Sequence, residues 1–155
     1  MNPHFSAASQ RRLAMAHPEL QRLMNLARSQ IAFEIDDSQR GRAAQELAFR
    51  TGHSKAHFGE SAHNWSPAIA VDIHPIPLPP DWPPKLFLAL HDVIGQWDPD
   101  TKFGSGLAKQ LLIPITWGGD WNGNGSQTDQ TLHDLPHYEL RPWRQWAKAC
   151  VPFGG

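Results

Sequence analysis

The 155-residue chain has a single cysteine, Cys150, so no intrachain disulfide can form and the fold must rest on packing. No apolar run approaches the roughly 20 residues needed to cross a bilayer, which excludes a membrane-spanning helix. The N-terminal segment MNPHFSAASQRR has no apolar stretch behind its charges, so it is not read as a secretory signal. Synthesis and folding in a reducing cytoplasm are therefore expected. Neither charge sign dominates: 14 Lys and Arg face 15 Asp and Glu, for a net charge of -1. Without a run of like charges, neither a nucleic-acid stripe nor a patch for anionic membranes is indicated. Tyrosine is nearly absent, one residue against seven Trp and nine His, and that excess of imidazole raises the question of a metal.

The length suits one domain with its own core and leaves no room for a second module. Leu13, Leu20, Leu23, Met24 and Ala27 recur at three and four residues between Ser9 and Ser29, predicting an amphipathic helix that restarts at Pro18. A short strand is expected over Ile31 to Ile35. A helix then follows over Arg40 to Arg50, with Ala43, Ala44, Leu47 and Ala48 facing inward and Gly52 as its cap. Thr51 to Trp65 reads as a polar loop and Ala68 to Ile73 as a strand, with Asp72 and His74 on the face opposite Ile69, Val71 and Ile73. His74 to Pro84 holds six prolines and is expected to be a stiff crossover. Helices over Lys85 to Trp97 and Gly106 to Leu111 and a strand over Leu112 to Trp117 come next. A long mobile loop over Gly118 to His133, a strand over Pro136 to Arg141 and a helix over Pro142 to Ala149 complete the chain. Helices and short strands without βαβ regularity or internal repeats place the chain in the α+β class, a small antiparallel sheet with flanking helices.

His63, Asp72 and His137, with Asp134 three residues before the last, supply two imidazoles, a carboxylate and a spare carboxylate. A catalytic zinc site needs that inventory: three protein ligands, an open position for water, and a general base that does not ligate. Taken singly, Asp72 would suit a turn cap or an arginine partner equally well, and His63 a solvated loop. In the proposed chemistry zinc acidifies water to a pKa of roughly 7, and Asp134 takes the proton and later returns it to the leaving amine. Arg40 is the candidate for holding a substrate carboxylate or the developing oxyanion. His74, on the same strand face as Asp72, is the strongest rival ligand, and His133 is placed to orient Asp134 or to contact substrate. His53 and His57 are four apart but lie in a Gly/Ser-rich stretch, where the one-face helical argument fails.

At these residues the sequence resembles the zinc-dependent peptidoglycan peptidases of the D-alanyl-D-alanine carboxypeptidase and phage L-alanyl-D-glutamate endopeptidase family. The likeness is carried by Ser61-Ala62-His63 with Ala70-Val71-Asp72, by Trp117-Gly118-Gly119-Asp120-Trp121, and by Asp134-Leu135-Pro136-His137. His17-Pro18-Glu19-Leu20 resembles the family's first helix; Arg40, Gln45 and Gly52-His53-Ser54-Lys55 also match, so the resemblance runs from about residue 10 to residue 145. It implies a hedgehog/DD-peptidase-like fold with His63, Asp72 and His137 as Zn2+ ligands, Asp134 as the base and Arg40 as a transition-state contact. Ser61, Gln45, Trp117 and His133 are the expected substrate neighbours. One departure concerns spacing: the family's His-x6-Asp, with a glycine between, is here His63-x8-Asp72, with Ser66-Pro67 in the glycine's region.

The implied activity is that of a phage endolysin hydrolysing the L-Ala–D-Glu bond of the peptidoglycan stem peptide. Such a protein would be a monomer waiting in the host cytoplasm until a holin-type permeabilisation of the membrane, with no nucleic-acid partner and no membrane insertion. D-Ala-D-Ala carboxypeptidase or dipeptidase activity is the alternative within the same chemistry. A non-catalytic wall-binding module using Trp65, Trp117 and Trp121 as a sugar platform is the alternative from another class.

Overall fold

The computed structural model describes residues 2–129 and 133–154. Helix α1 (Ala7–Ala14) is capped by Ser6, and Ser6 and Ser9 both donate to Glu34, tying the helix to strand β1 (Phe33–Asp37). Pro18 opens α2 (Pro18–Arg28), and His17 caps it, its Nδ1 accepting from the backbone N–H of Glu19 at 3.1 Å. Leu20, Leu23, Met24 and Ala27, the residues spaced at three and four, are all fully buried.

Helix α3 (Arg42–Arg50) forms where expected, but its inner face is not the apolar one. Leu47 is 52% exposed, Ala43 and Ala44 are exposed and Ala48 is only half-buried, whereas Gln45 is completely enclosed. The side chains that Gln45 meets are polar, so apolar spacing on this helix does not report a core. Gly52 follows the helix at φ 80°, the left-handed conformation expected of a cap.

Strand β3 (Ala70–Pro75) follows the short strand β2 (Trp65–Ser66), and helix α4 (Pro84–Ile94) follows the proline crossover. The helix stops at Ile94 rather than running to Trp97, because Gly95 takes φ 72° and lies where a Cβ would overlap the Ser105 carbonyl oxygen. Trp97 belongs instead to β4 (Gln96–Asp98), which pairs with β5 (Phe103–Ser105). Neither strand was expected from its short, weakly alternating sequence. Helix α5 (Gly106–Leu111), β6 (Ile115–Trp117), β7 (His137–Leu140), α6 (Trp143–Ala147) and β8 (Val151–Pro152) complete the order.

Six strands make one antiparallel sheet in the order β1-β3-β7-β6-β4-β5, while β2 and β8 pair separately. The class is α+β, as expected. Val71 and Ile73 of β3 join the buried faces of α2 and α4 in a common core, and the central pairing of β3 with β7 sets Asp72 directly opposite His137. Among the described residues no helix is long and apolar enough to cross a membrane.

Behind the sheet, His91 of α4 stacks on Trp117 at 3.7 Å between ring centroids, and its Nδ1 lies 3.1 Å from the Tyr138 hydroxyl. Burial pushes the His91 pKa down to about 4. The unfolded chain, whose histidine titrates near pH 6.5, therefore binds more protons between the two values, and stability rises with pH across that window. The contribution, fully present above pH 6.5 and lost as pH falls towards 4, is on the order of 3 kcal/mol. His91→Phe should flatten the acid limb of stability between pH 4 and 6.5 in urea melts of the chelated protein. An unchanged limb would assign that limb to other groups.

Candidate metal centre

Three elements converge on the candidate ligands. Asp72 and His137 face each other across β3 and β7, and His63 comes from a single 3₁₀ turn, Ala62–Asn64. That turn closes on itself: Ser61 Oγ accepts from the His63 N–H at 3.2 Å while Asn64 Oδ1 accepts from the Ser61 N–H at 3.2 Å. Asn64 Nδ2 also donates to the Arg40 carbonyl at 3.0 Å and to Gln45 Oε1 at 3.1 Å. The wide His63–Asp72 spacing is absorbed here, because part of the connection becomes β2 and pairs with β8 near the C-terminus.

One ligand atom each from His63, Asp72 and His137 lies within 4.8 Å of the other two. His137 Nδ1 is 3.0 Å from Asp72 Oδ1, and His63 Nε2 is 3.3 Å from Asp72 Oδ2. His63 Nδ1 sits 2.7 Å from the Ser38 carbonyl oxygen, an acceptor only, so that nitrogen carries the proton. In neutral His63, Nε2 is then an unprotonated acceptor 3.3 Å from the Asp72 carboxylate, and this nitrogen is buried without a hydrogen bond. Two electron-rich groups this close form an arrangement that a cation between them would resolve. The donor set, two imidazoles and a carboxylate, fits a divalent metal, and this buried group can hold one.

Charge is distributed accordingly. Burial works against ionisation of Asp72, but His63 and His137, where they carry a second proton, outweigh it and hold its carboxyl well below the usual range. Burial likewise disfavours a charged His137, yet its hydrogen bonds to Asp72 and Glu139 prevail and hold its pKa well above the ordinary value. Arg40 is anchored by Asp37, with Nε and Nη2 at 3.0 and 2.7 Å from Oδ2, and by Gln45 Oε1 at 3.2 Å. Its Nη2 also comes within 3.4 Å of Asp72 Oδ2.

Asp134 lies on the wall of the same cleft, a cavity of about 640 Å³ that also exposes Arg40, Ser61 and His133. Its backbone is clamped: its N–H donates to Gly118 O at 2.8 Å, the Gly118 N–H donates to His137 O at 2.8 Å, and the His137 N–H donates to Asp134 O at 3.1 Å. Burial raises the Asp134 pKa, and the neighbouring Asp72 adds to the effect against the pull of His137. A Cβ on Gly118 would overlap the Asp134 carbonyl, so the first glycine after Trp117 is required for this clamp. Gly118→Ala should displace Asp134 and lower turnover on the order of 100-fold, with metal uptake retained. Wild-type turnover in that variant would remove the clamp from the account.

Two expected substrate neighbours are not at the cleft. Trp117 is 1% exposed, its ring stacked on His91 and its Nε1 donating to the Leu135 carbonyl at 2.9 Å. Gln45 is fully buried and holds Arg40, Asn64, Ser54 Oγ and the Ala56 carbonyl in place. Both support the site from behind, because β6 and α3 turn these side chains into the protein. His74, the rival ligand, lies 2.6 Å from Asp36 on the neighbouring strand and is outside the metal group, while His57 pairs with Glu46 at 2.9 Å. The loop after β6 has no regular element through Asp129. Its remaining expected part, Gln130, Thr131 and Leu132, falls outside the described residues.

Glu139 was not singled out from sequence, although its position two residues after His137 on one strand places both on the same face. Its Oε1 is 2.7 Å from His137 Nε2. Trp143, on the cleft wall, carried no sequence signal beyond its residue type.

The family model for phage L-alanyl-D-glutamate peptidases matches residues 1–141, the stretch that holds all of these site residues up to β7. The chain belongs to that family. This makes it a peptidoglycan peptidase. Among solved structures the peptidase resembles the Serratia marcescens L-Ala D-Glu endopeptidase ChiX, with a TM-score of 0.60 at 24% identity, covering 94% of this chain and 96% of that one. That likeness shows the shared fold. No curated protein sequence matches the chain.

Proposed function

We propose that the peptidase hydrolyses the L-Ala–D-Glu bond of the stem peptide with a zinc ion held by His63, Asp72 and His137. The observation that carries the metal reading is the buried His63 Nε2, which has no hydrogen bond and lies 3.3 Å from the Asp72 carboxylate within one ligand group with His137. When bound there, zinc supplies Lewis acidity, bringing the pKa of water to roughly 7 and polarising the scissile carbonyl. Asp134, on the cleft wall, accepts the proton of the attacking water and delivers it to the nitrogen of D-Glu as the amide bond breaks. Arg40, held rigid by Asp37 and Gln45, stabilises the negative charge that develops on the carbonyl oxygen. Ser61 and His133, on the cleft wall, contact the stem peptide.

In this reading the chain is a monomeric single-domain endolysin that stays in the host cytoplasm until the membrane is permeabilised. Mass spectrometry of fragments released from purified peptidoglycan by the zinc-loaded protein, with a chelated control, tests it. New N-terminal D-Glu on freed stem peptides, abolished by chelation, is the expected result. Release of terminal D-Ala alone would move the activity to a carboxypeptidase. No cleavage of intact wall or isolated stem peptide would leave a wall-binding module.

A further inference from the structure

We propose that Glu139 is a positioning residue that commits His137 to binding the metal through Nδ1. The inference rests on the metal reading above and assigns a role to a side chain that reading does not use.

An imidazole can offer a lone pair at one nitrogen only if its proton sits on the other. His63 meets this condition through the Ser38 carbonyl at Nδ1, which leaves Nε2 for the ion. His137 must do the reverse, since its Nδ1 faces Asp72 at 3.0 Å. Left to itself, His137 would gain most by placing its proton on Nδ1 and donating to the Asp72 carboxylate, which would block the nitrogen that the metal needs. Glu139 offers a competing carboxylate at the far side of the ring, with Oε1 2.7 Å from Nε2. A proton accepted there leaves the Nδ1 lone pair for the metal, the usual function of an acceptor behind a metal-bound histidine.

The backbone makes this arrangement rigid. Glu139 sits on β7 between two partner strands, opposite Ala70 of β3 and Thr116 of β6, so it cannot drift from His137 without breaking the centre of the sheet. The two histidines thus enter the site through opposite nitrogens, each fixed by an acceptor at the other.

Zinc affinity measured by chelator competition on wild type, Glu139→Ala and Glu139→Gln tests the assignment, with metal-free thermal melts as the check on folding. Glu139→Ala should bind zinc 10- to 100-fold more weakly. Glu139→Gln, whose Oε1 can still accept from Nε2–H, should recover most of that loss. Equal affinity in wild type and Glu139→Ala would overturn the role, as would a Gln variant as weak as the Ala variant, since the carboxylate would then act as a ligand or a bare charge. If Glu139→Ala fails to fold, imidazole nitrogen NMR of the zinc-loaded wild type decides. A proton on His137 Nε2 with metal at Nδ1 is expected, and the opposite assignment refutes the proposal. Tight zinc binding undiminished in the Ala variant defeats this inference alone, whereas a wild-type chain that takes up no zinc defeats the metal reading with it.

Discussion

Asp134→Asn should fold, take up metal as wild type does, and turn over stem peptides 10²- to 10⁴-fold more slowly, the range that a positioned general base supplies. The substitution is nearly isosteric, and what holds residue 134 is backbone: the hydrogen bonds to Gly118 and His137 do not involve its side chain. The amide cannot accept the proton of water, so the loss should fall on kcat, with KM little changed. In the metal-free protein burial, reinforced by Asp72, raises the pKa of the Asp134 carboxyl above the ordinary carboxylate value. Product release from peptidoglycan fragments and metal content by atomic absorption, measured on the same preparation, give the two readouts. Turnover within a few-fold of wild type would discard Asp134 as the base. A binding module on this fold would show no turnover in either protein.

His137→Ala should abolish activity and remove the difference in melting temperature between zinc-loaded and chelated protein. In wild type, metal binding to the folded state adds about 2.7 kcal/mol when zinc stands at 100 times its dissociation constant. The variant loses a ligand and so most of that term. It also leaves Asp72 without one of its partners; breaking a buried charge pair costs about 3–5 kcal/mol when nothing replaces the partner. Asp72 keeps Arg40, so the metal-free variant should lose the lower part of that range at most. Proton linkage sharpens the test. In the metal-free protein the raised pKa of His137 adds stability that is complete below pH 6.5 and is lost as pH rises through the folded value. Metal binding has to expel the proton from Nδ1, so zinc affinity and activity should both fall with decreasing pH, activity fading below about pH 6. Calorimetry and zinc stoichiometry across pH 5 to 8 check both trends. One zinc per chain retained in His137→Ala would take this residue out of the site.

Much of the site was legible because its residue types are restrictive. Two imidazoles and a carboxylate placed on or beside strands, with a spare carboxylate three residues before His137, form an inventory suited to metal-assisted hydrolysis, and the fold brings the first three into one group that could hold an ion. The helix boundary at Pro18 was legible for a local reason as well, since proline fixes its own φ and supplies no amide to the preceding turn. The α3 face and the end of α4 were not legible. Periodicity reports that one side of a helix is turned inward, not whether apolar groups or a polar network like that of Gln45 await it. The stop at Gly95 is imposed by the Ser105 backbone, ten residues further on, and no local pattern encodes that approach.

The sequence by itself determined the donor groups the candidate site offers and the α+β class, because side-chain type and short-range spacing are properties of the chain. The tertiary structure alone decided which of nine histidines meet. Antiparallel pairing of β3 with β7 joins Asp72 to His137 across 65 residues, turns His74 towards Asp36, buries Trp117 behind the sheet and sets Glu139 against the second ring nitrogen of His137. Strand register couples residues far apart in the chain and is chosen by the burial of the whole sheet, so it cannot be read from either segment alone.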